Sequence, residues 1–296
     1  MNEQVPIDIE AEHAPCVVAL GNFDGVHAGH AALLAEGKRL ASAQNLPLVA
    51  VTFLPKTLPH PPALLTGKEE REKLLRAAGA DEVIFLPFCD VRTMSPEDFV
   101  FRILIDRFDA RIAVSGFNYR FGYLAAGDTD LLCRLMRQAG RDAVVTDAVL
   151  YRGVPVSSSR IREALADGNL ADAVGMLRRP VSWCLPVLHG KALGRTLGFP
   201  TVNQVPDEGY ALPRFGVWRT EVAIGDTLFP ALTNIGVRPT VDRDGRVDFE
   251  TWIKGYQGDL YGKNLRVTLK EFLRDERRFS SEKELKKQIE VDKNAI

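Results

Sequence analysis

The sequence has no surplus of either charge and no long apolar run. Lys plus Arg number 38 against 39 Asp plus Glu, a balance that argues against a broad electrostatic surface for nucleic acid or anionic membrane. Any anion site must therefore be local. No stretch approaches 18 uninterrupted apolar residues, so no membrane-spanning helix is expected. Residues Met1 to Pro15 are acidic and lack the basic head and apolar core of a secretory leader, so a cytoplasmic location is the expectation. Cysteine is scarce: Cys16, Cys89, Cys133 and Cys184 are dispersed, with no C-x-x-C pair and no His at zinc-site spacing, and they read as reduced structural residues. There is no internal repeat, no low-complexity linker and no G-x-x-x-x-G-K-[ST] phosphate loop.

What is present is ordinary in bulk. A chain of 296 residues with 46% hydrophobic and 26% charged content reads as a soluble protein of two domains. From Cys16 to about Arg178 apolar β-type runs alternate with helical spacing. Strands are expected over 16–20, 46–53, 82–88, 111–116 and 143–148, and helices over 31–45, 67–78, 96–108 and 128–139. Such alternation predicts a parallel sheet with helices on both faces. Ser95-Pro96-Glu97-Asp98 marks one helix start, with Ser as N-cap and Pro at the first position. Near Pro180 the texture changes to short β-type runs punctuated by Gly and Pro, at 181–188, 216–224, 228–233, 249–253 and 265–272. These predict a small antiparallel barrel or sandwich. A closing helix over 281–294 places Leu285 and Ile289 on one face, and Glu282 at pairing distance from Lys286. The expected division is 1–179 and 180–296.

The most informative stretch is Gly21-Asn22-Phe23-Asp24-Gly25-Val26-His27-Ala28-Gly29-His30. It follows the first strand and opens the first helix. By the rule for open α/β sheets, ligand binds beyond the carboxyl ends of the strands. Gly21 and Gly25 permit close approach of the backbone, helix N–H groups and dipole favour an anion, and His27 and His30 add donors. The pattern suits a nucleotide phosphate. Taken alone, the same residues also fit a plain turn with solvated histidines. Further on, Ser157, Ser158 and Ser159 precede a helix start with Arg162 one turn inside it, which suits a polyphosphate or an ordinary Ser cap. In the second domain Gly190, Gly194 and Gly198 flank Arg195 and permit a flexible loop over phosphate. Thr201 and Asn203, two apart on an extended segment, project to one side and offer oxygens to a hard cation such as Mg²⁺, or serve a turn. Glu250 sits in an apolar β-rich run, where a carboxylate is shifted toward a useful base unless the position is exposed.

The G-N-F-D-G-V-H-x-G-H turn closely resembles the start of the bacterial bifunctional riboflavin kinase and FMN adenylyltransferase family, the prokaryotic FAD synthetases. Three further sets of blocks carry the resemblance: Ser115 to Gly122 with Gly127-Asp128; Val156 to Arg162; and Gly194 to Asn203, followed by Asn234 to Thr240, Phe249-Glu250-Thr251 and Leu260-Tyr261-Gly262. The resemblance implies an N-terminal Rossmann-like nucleotidyltransferase domain and a C-terminal antiparallel flavokinase barrel. It implies that Gly21, Phe23, Asp24 and Gly25 line ATP, that His27 and His30 stabilise charge on the α-phosphate, and that Ser157, Ser158, Ser159 and Arg162 hold the outer phosphates. In the barrel, Gly190, Gly194, Arg195 and Gly198 cover ATP, Thr201 and Asn203 hold Mg²⁺, and Glu250 accepts the riboflavin 5′-hydroxyl proton. Asn118 in the first domain and Asn234, Arg238 and Arg274 in the second place nucleotide or flavin. The implied partners are ATP, riboflavin and FMN, with no nucleic acid or membrane partner, and a homo-oligomer is left open. Departures from the family pattern are Leu54-Pro55-Lys56-Thr57 in place of x-P-H-P after Phe53, Trp252 in place of His, Trp218 in place of Tyr and Leu185 in place of Gly. The alternatives to a bifunctional enzyme are a kinase alone, or a flavin-binding protein without turnover.

Overall fold

The structure, a computed structural model, describes residues 13–54, 62–189, 199–237, 247–277 and 279–296. By packing, the chain divides into Met1–Ser158 and Ser159–Ile296.

In the first unit β1 (Cys16–Leu20), β2 (Leu48–Phe53), β3 (Glu82–Leu86), β4 (Ala110–Gly116) and β5 (Asp142–Thr146) form one sheet in the order β3-β2-β1-β4-β5, and every pairing is parallel. All five residues of β1 are buried. Val17 and Ala19 enter one core with Leu33, Leu34 and Leu75, while Cys16, Val18 and Leu20 enter another with Val100, Ile103, Leu132 and Met136. A strand covered on both faces must be apolar throughout, hence Cys-Val-Val-Ala-Leu. Helices α1 (Ala28–Ala43) and α2 (Lys68–Ala77) supply the first core. The second is supplied by α5 (Thr129–Gln138), with Asp128 as N-cap, and by the 96–107 segment. A short α3 (Phe88–Val91) lies between. Because the strand order reverses at β1, the carboxyl ends of β1 and β4 open the crevice in which such sheets bind ligands.

The expected helix over 96–108 starts as predicted: Ser95 caps the N–H of Asp98 at 3.0 Å and Pro96 occupies the first position of α4 (Pro96–Asp98). It then widens into a π-helix, Phe99–Arg107, with Phe108 N–H reaching back five residues to the Ile103 carbonyl. Buried Phe99, Val100, Ile103 and Leu104 recur at a step of four, which either helix accommodates, so apolar spacing alone does not separate them.

In the second unit β8 (Ser182–Leu188), β9 (Thr201–Gln204), β10 (Gly216–Ile224), β11 (Thr227–Val237), β12 (Val247–Ile253) and β13 (Asn264–Arg274) form a closed barrel in the order β10-β11-β12-β9-β8-β13. Strand spacing left barrel and sandwich open, and the resemblance implied the barrel that is found. Closure is decided by β13, which pairs with β10 on one side and β8 on the other, leaving no free edge. The sixth strand, β9, is only four residues long and lies between Pro200 and Pro206, so it stood out as an extended segment rather than as a run. Helix α6 (Ser158–Ala166) starts where the Ser157 to Arg162 pattern places a helix start, α7 (Leu170–Leu177), which periodicity did not mark, follows it before the barrel, and the Leu165 carbonyl accepts Arg214 N–H at 2.8 Å. The small β6 (Leu150–Tyr151) and β7 (Val154–Pro155) pair as a hairpin in the first unit. The closing helix runs Glu282–Lys293, capped by Ser281, with the Glu284 carboxylate returning to Ser280 N–H and hydroxyl.

Candidate active site

The 21–30 turn is held from behind. Phe23 (φ 49) and Val26 (φ 36) adopt left-handed backbone, costing about 1–3 kcal/mol each for non-glycine residues. The compensation centres on Asp24. Its carboxylate accepts Leu65 N–H, Thr66 N–H and the Arg71 guanidinium at 3.1, 3.1 and 2.9 Å. Arg71 also donates to the Asn22 and Thr66 carbonyls, each at 3.1 Å. Gly25 N–H donates to the Thr66 hydroxyl at 3.0 Å, Thr52 hydroxyl to the Asn22 carbonyl at 2.8 Å, and Ser158 hydroxyl to the Asp24 carbonyl at 2.8 Å. Gly21 is small for an internal reason: a Cβ there would meet the Phe23 ring at 3.0 Å.

His27 is the N-cap of α1. Its Nδ1 accepts His30 N–H at 3.3 Å, so the neutral ring carries its proton on Nε2. The His27 and His30 rings stack at 3.7 Å, 14° from parallel, and the Phe23 ring meets His30 edge-on at 5.1 Å. Burial pushes the His30 pKa well below 6.5, and His27 and Arg71 act in the same direction. The His30 ring is thus suited to act as a neutral donor rather than as a cation. Among the described residues the His30 Nδ1 has no hydrogen-bond partner. Asn118 is exposed just beyond β4, on the same edge of the sheet. Ser158 opens α6, Ser157 precedes it, and Ser159 and Arg162 lie in its first turns.

In the barrel, strand register brings the candidates into one line. Asn203 on β9 lies opposite Glu250 on β12, and Glu250 opposite Asn234 on β11. The line continues through Val217 on β10 to Arg274 on β13. Directly opposed residues share a face with Cβ atoms about 4.5–5.5 Å apart. That face points away from the buried Phe249, Thr251 and Ile253: on it Glu250 is exposed and Asn234 half-buried, while Asn203 and Val217 are buried. Of the two readings that the sequence left open for Glu250, the exposed one holds: it alternates outward from its apolar neighbours. Thr201 projects to the same side, opposite Trp252, and borders a cavity of about 580 Å³ lined also by Val202, Ile253, Tyr256 and Tyr261. Asn234 donates to Glu276 at 3.1 Å, and Glu276 lies across Gly236, where a Cβ would collide with it. Arg274 binds Asp292 of the closing helix with 2.7 Å at its shortest contact, and Lys293 sits over the rings of Phe199 and Trp252 at 4.7 and 5.1 Å. Gly190, Gly194, Arg195, Gly198 and Arg238 lie outside the described residues, as does most of the departure after Phe53.

Two matches settle the family. The FAD synthetase family model fits residues 9–160 and the riboflavin kinase model residues 177–296. The chain belongs to the bifunctional riboflavin kinase/FMN adenylyltransferase family. A relative of that name from Escherichia coli (strain K12) is 37% identical over 96% of this chain and 92% of its own length. Relatives from Pseudomonas fluorescens and Bacillus subtilis (strain 168) are 35% and 30% identical over 96% of this chain and over 93% and 92% of their own lengths. A solved structure described as a macrolide-efflux protein from Streptococcus pneumoniae superposes with TM-score 0.84 at 31% identity, covering 95% of this chain and 93% of that one. Among the described residues no helix here is long and apolar enough to cross a membrane. As a member of the bifunctional riboflavin kinase/FMN adenylyltransferase family, the enzyme phosphorylates riboflavin to FMN and adenylylates FMN to FAD, with ATP as co-substrate.

Sequence reasoning missed Arg71, Thr66 and Glu276. The signal for Arg71 was legible: it shares the buried face of α2 with Leu75, four residues on, and a cation at a core position needs a partner. Glu276 lies outside any periodic element, and nothing in its spacing marks it.

Proposed function

We propose that adenylyl transfer takes place at the 21–30 loop and riboflavin phosphorylation on the outer face of the barrel. The observation that carries this reading is that His27 and His30 lie wholly within Met1–Ser158, and Asn203, Glu250 and Asn234 wholly within Ser159–Ile296. We place the functional boundary near 179/180, close to the start of the riboflavin kinase match at residue 177.

At the first site an FMN phosphate oxygen attacks the α-phosphorus of ATP in line, and pyrophosphate leaves. FMN phosphate is largely dianionic at neutral pH and needs no base. The Nε2–H of His27 and the His30 ring donate to α-phosphate oxygens as negative charge develops there. Gly21, Phe23, Asp24 and Gly25 shape the loop; the Asp24 carboxylate is engaged behind it, so what this residue offers nucleotide is backbone. Ser157, Ser159 and Arg162 hold the outer phosphates. Ser158, whose proton goes to Asp24, acts mainly by holding the loop. Asn118 helps to place nucleotide and flavin, a role that rests on the resemblance of its block.

At the barrel the riboflavin 5′-oxygen attacks the γ-phosphorus, its proton passes to Glu250, and ADP leaves. Exposure on the outer face gives Glu250 access to a substrate hydroxyl. Asn234 and Arg274 orient flavin, and Arg238 with the 190–198 glycines and Arg195 completes the site by resemblance. Thr201 and Asn203 fit Mg²⁺: both carry hard oxygen donors, on one side of β9 and beside a carboxylate, the oxygen-rich setting that this ion takes together with water and phosphate. When bound, Mg²⁺ neutralises phosphate charge. The aromatic cavity beside Thr201 suits the base of ATP. ATP supply and reduced cysteines favour the cytoplasm as the place of action.

The test is product analysis after incubation with riboflavin, ATP and Mg²⁺. His30→Ala is expected to accumulate FMN without FAD, and Glu250→Ala to make no FMN yet convert supplied FMN to FAD. Loss of both activities in either folded variant overturns the division.

A further inference from the structure

Arg71 belongs to none of the motif blocks, yet its side chain is only 3% exposed and it reaches three acceptors that close the loop. One fork joins the Asp24 carboxylate, the Asn22 carbonyl and the Thr66 carbonyl. Asn22 and Asp24 flank Phe23, whose ring abuts His30, and Asp24 lies three residues before the α1 cap at His27. Movement of either carbonyl or carboxylate would rotate Phe23 out of its left-handed backbone and release the ring that backs His30. We propose that Arg71 is a positioning residue for adenylyl transfer, fixing the backbone on both sides of Phe23 and thereby the stacked His27 and His30 rings, without touching a reactant.

This inference rests on the assignment of His27 and His30 to the α-phosphate. A planar guanidinium with five donors satisfies three acceptors in fixed directions; a lysine ammonium brings the charge without the fork. Arg71 has a second bearing on the site. The groups acting on His30 are the stacked His27, the Phe23 ring edge and Arg71, with Asp24 as the counter-charge of Arg71. A cation on that side disfavours a second positive charge and keeps His30 a neutral donor, alongside the effect of its burial.

The test uses the full chain labelled at histidine. His30 in the unsubstituted enzyme is expected to stay neutral by NMR from pH 6 to 8. In Arg71→Met its titration moves upward, and kcat for FMN to FAD falls by about 100-fold, the scale of a misplacement of roughly 1 Å, while KM for ATP changes less than about threefold. Arg71→Lys keeps His30 neutral and recovers about tenfold of the lost kcat. If Arg71→Met does not fold, Asp24→Asn/Arg71→Met removes the unpaired buried charge, and the same loss is expected; if that fails too, the comparison of Arg71→Lys with the unsubstituted enzyme decides. A folded Met variant or double variant within about threefold of normal kcat overturns the proposal, as does a His30 that titrates normally in the unsubstituted enzyme. Equal losses in the Met and Lys variants with His30 unmoved also overturn it, since a merely structural ion pair behaves that way. If His30→Ala retains FAD synthesis, it is the assignment of the imidazoles that fails, and the titration still reports the coupling to Arg71 separately.

Discussion

The His27 ring caps α1 through Nδ1 and stacks on His30 at 3.7 Å, so one imidazole both starts the helix and backs its neighbour. Capping and chemistry can be separated by substitution. Asn caps as well as any residue but offers no donor at the distance of Nε2, whereas Ala does neither and costs about 1 kcal/mol of helix stability. His27→Asn is expected to keep the melting temperature and lose adenylyl transfer by about 10²–10³-fold; His27→Ala loses both. Thermal melts and FAD formation from supplied FMN measure the two effects.

Gly29 lies beneath that ring. A Cβ would stand 3.2 Å from His27 Cε1 and 3.3 Å from its Nδ1, tighter than ordinary contact, while Ala is favoured over Gly in a helix by about 0.8–1.0 kcal/mol. Gly29→Ala is therefore expected to leave stability equal or higher and to cut FAD formation by about tenfold or more by tilting the imidazole. Unchanged kcat with an unmoved His27 resonance would remove the steric role.

On the barrel, Gly236 leaves room for Glu276, which accepts from Asn234. A methyl group at 236 displaces a flexible, exposed carboxylate, so folding is barely affected. Gly236→Ala is expected to raise KM for riboflavin several-fold while FMN to FAD proceeds normally. Steady-state kinetics of the two half-reactions decide the point.

The pH dependence of stability in the first unit has a fixed sign. Burial lowers the folded-state His30 pKa below 6.5, with His27 and Arg71 adding to it. Above about pH 6.5 neither state holds the proton and there is no penalty. As pH falls through 6.5 the unfolded chain takes up a proton that the folded one refuses, and stability drops until the folded pKa is reached. His13 runs the other way: burial opposes its charge, but its bonds to Glu82 and the Ala14 carbonyl prevail and raise its pKa, a contribution present below 6.5 and lost as pH rises through the folded value. In a His13→Gln background, protection of β1 amides against hydrogen exchange is expected to be greater at pH 7.5 than at 5.5. Adding His30→Gln flattens that difference.

Local sequence carried a large share of the fold. The five apolar residues of β1 read as a strand, and Ser95 marked a helix start that the structure keeps; the helices expected from 128 and 281 are capped by Asp128 and Ser281, and each of the three caps accepts the N–H three residues on. The π-helix was not legible, because its buried residues recur at a step that two helix types share. Barrel closure came from the family resemblance and not from periodicity, because it depends on β13 finding a partner on each side across long stretches of chain.

By itself the sequence determined the two-part architecture, the order of elements and the residue types gathered at each candidate site, since these follow from periodicity, capping and motif spacing. Tertiary structure decided what those residues face. Register alone lined up Asn203, Glu250, Asn234 and Arg274 from four strands, and decided between the buried and the exposed reading of Glu250 in favour of the exposed one. Only packing brought Arg71 from a separate helix to the back of the 21–30 turn, because hydrogen bonds across more than 40 residues leave no trace in local periodicity.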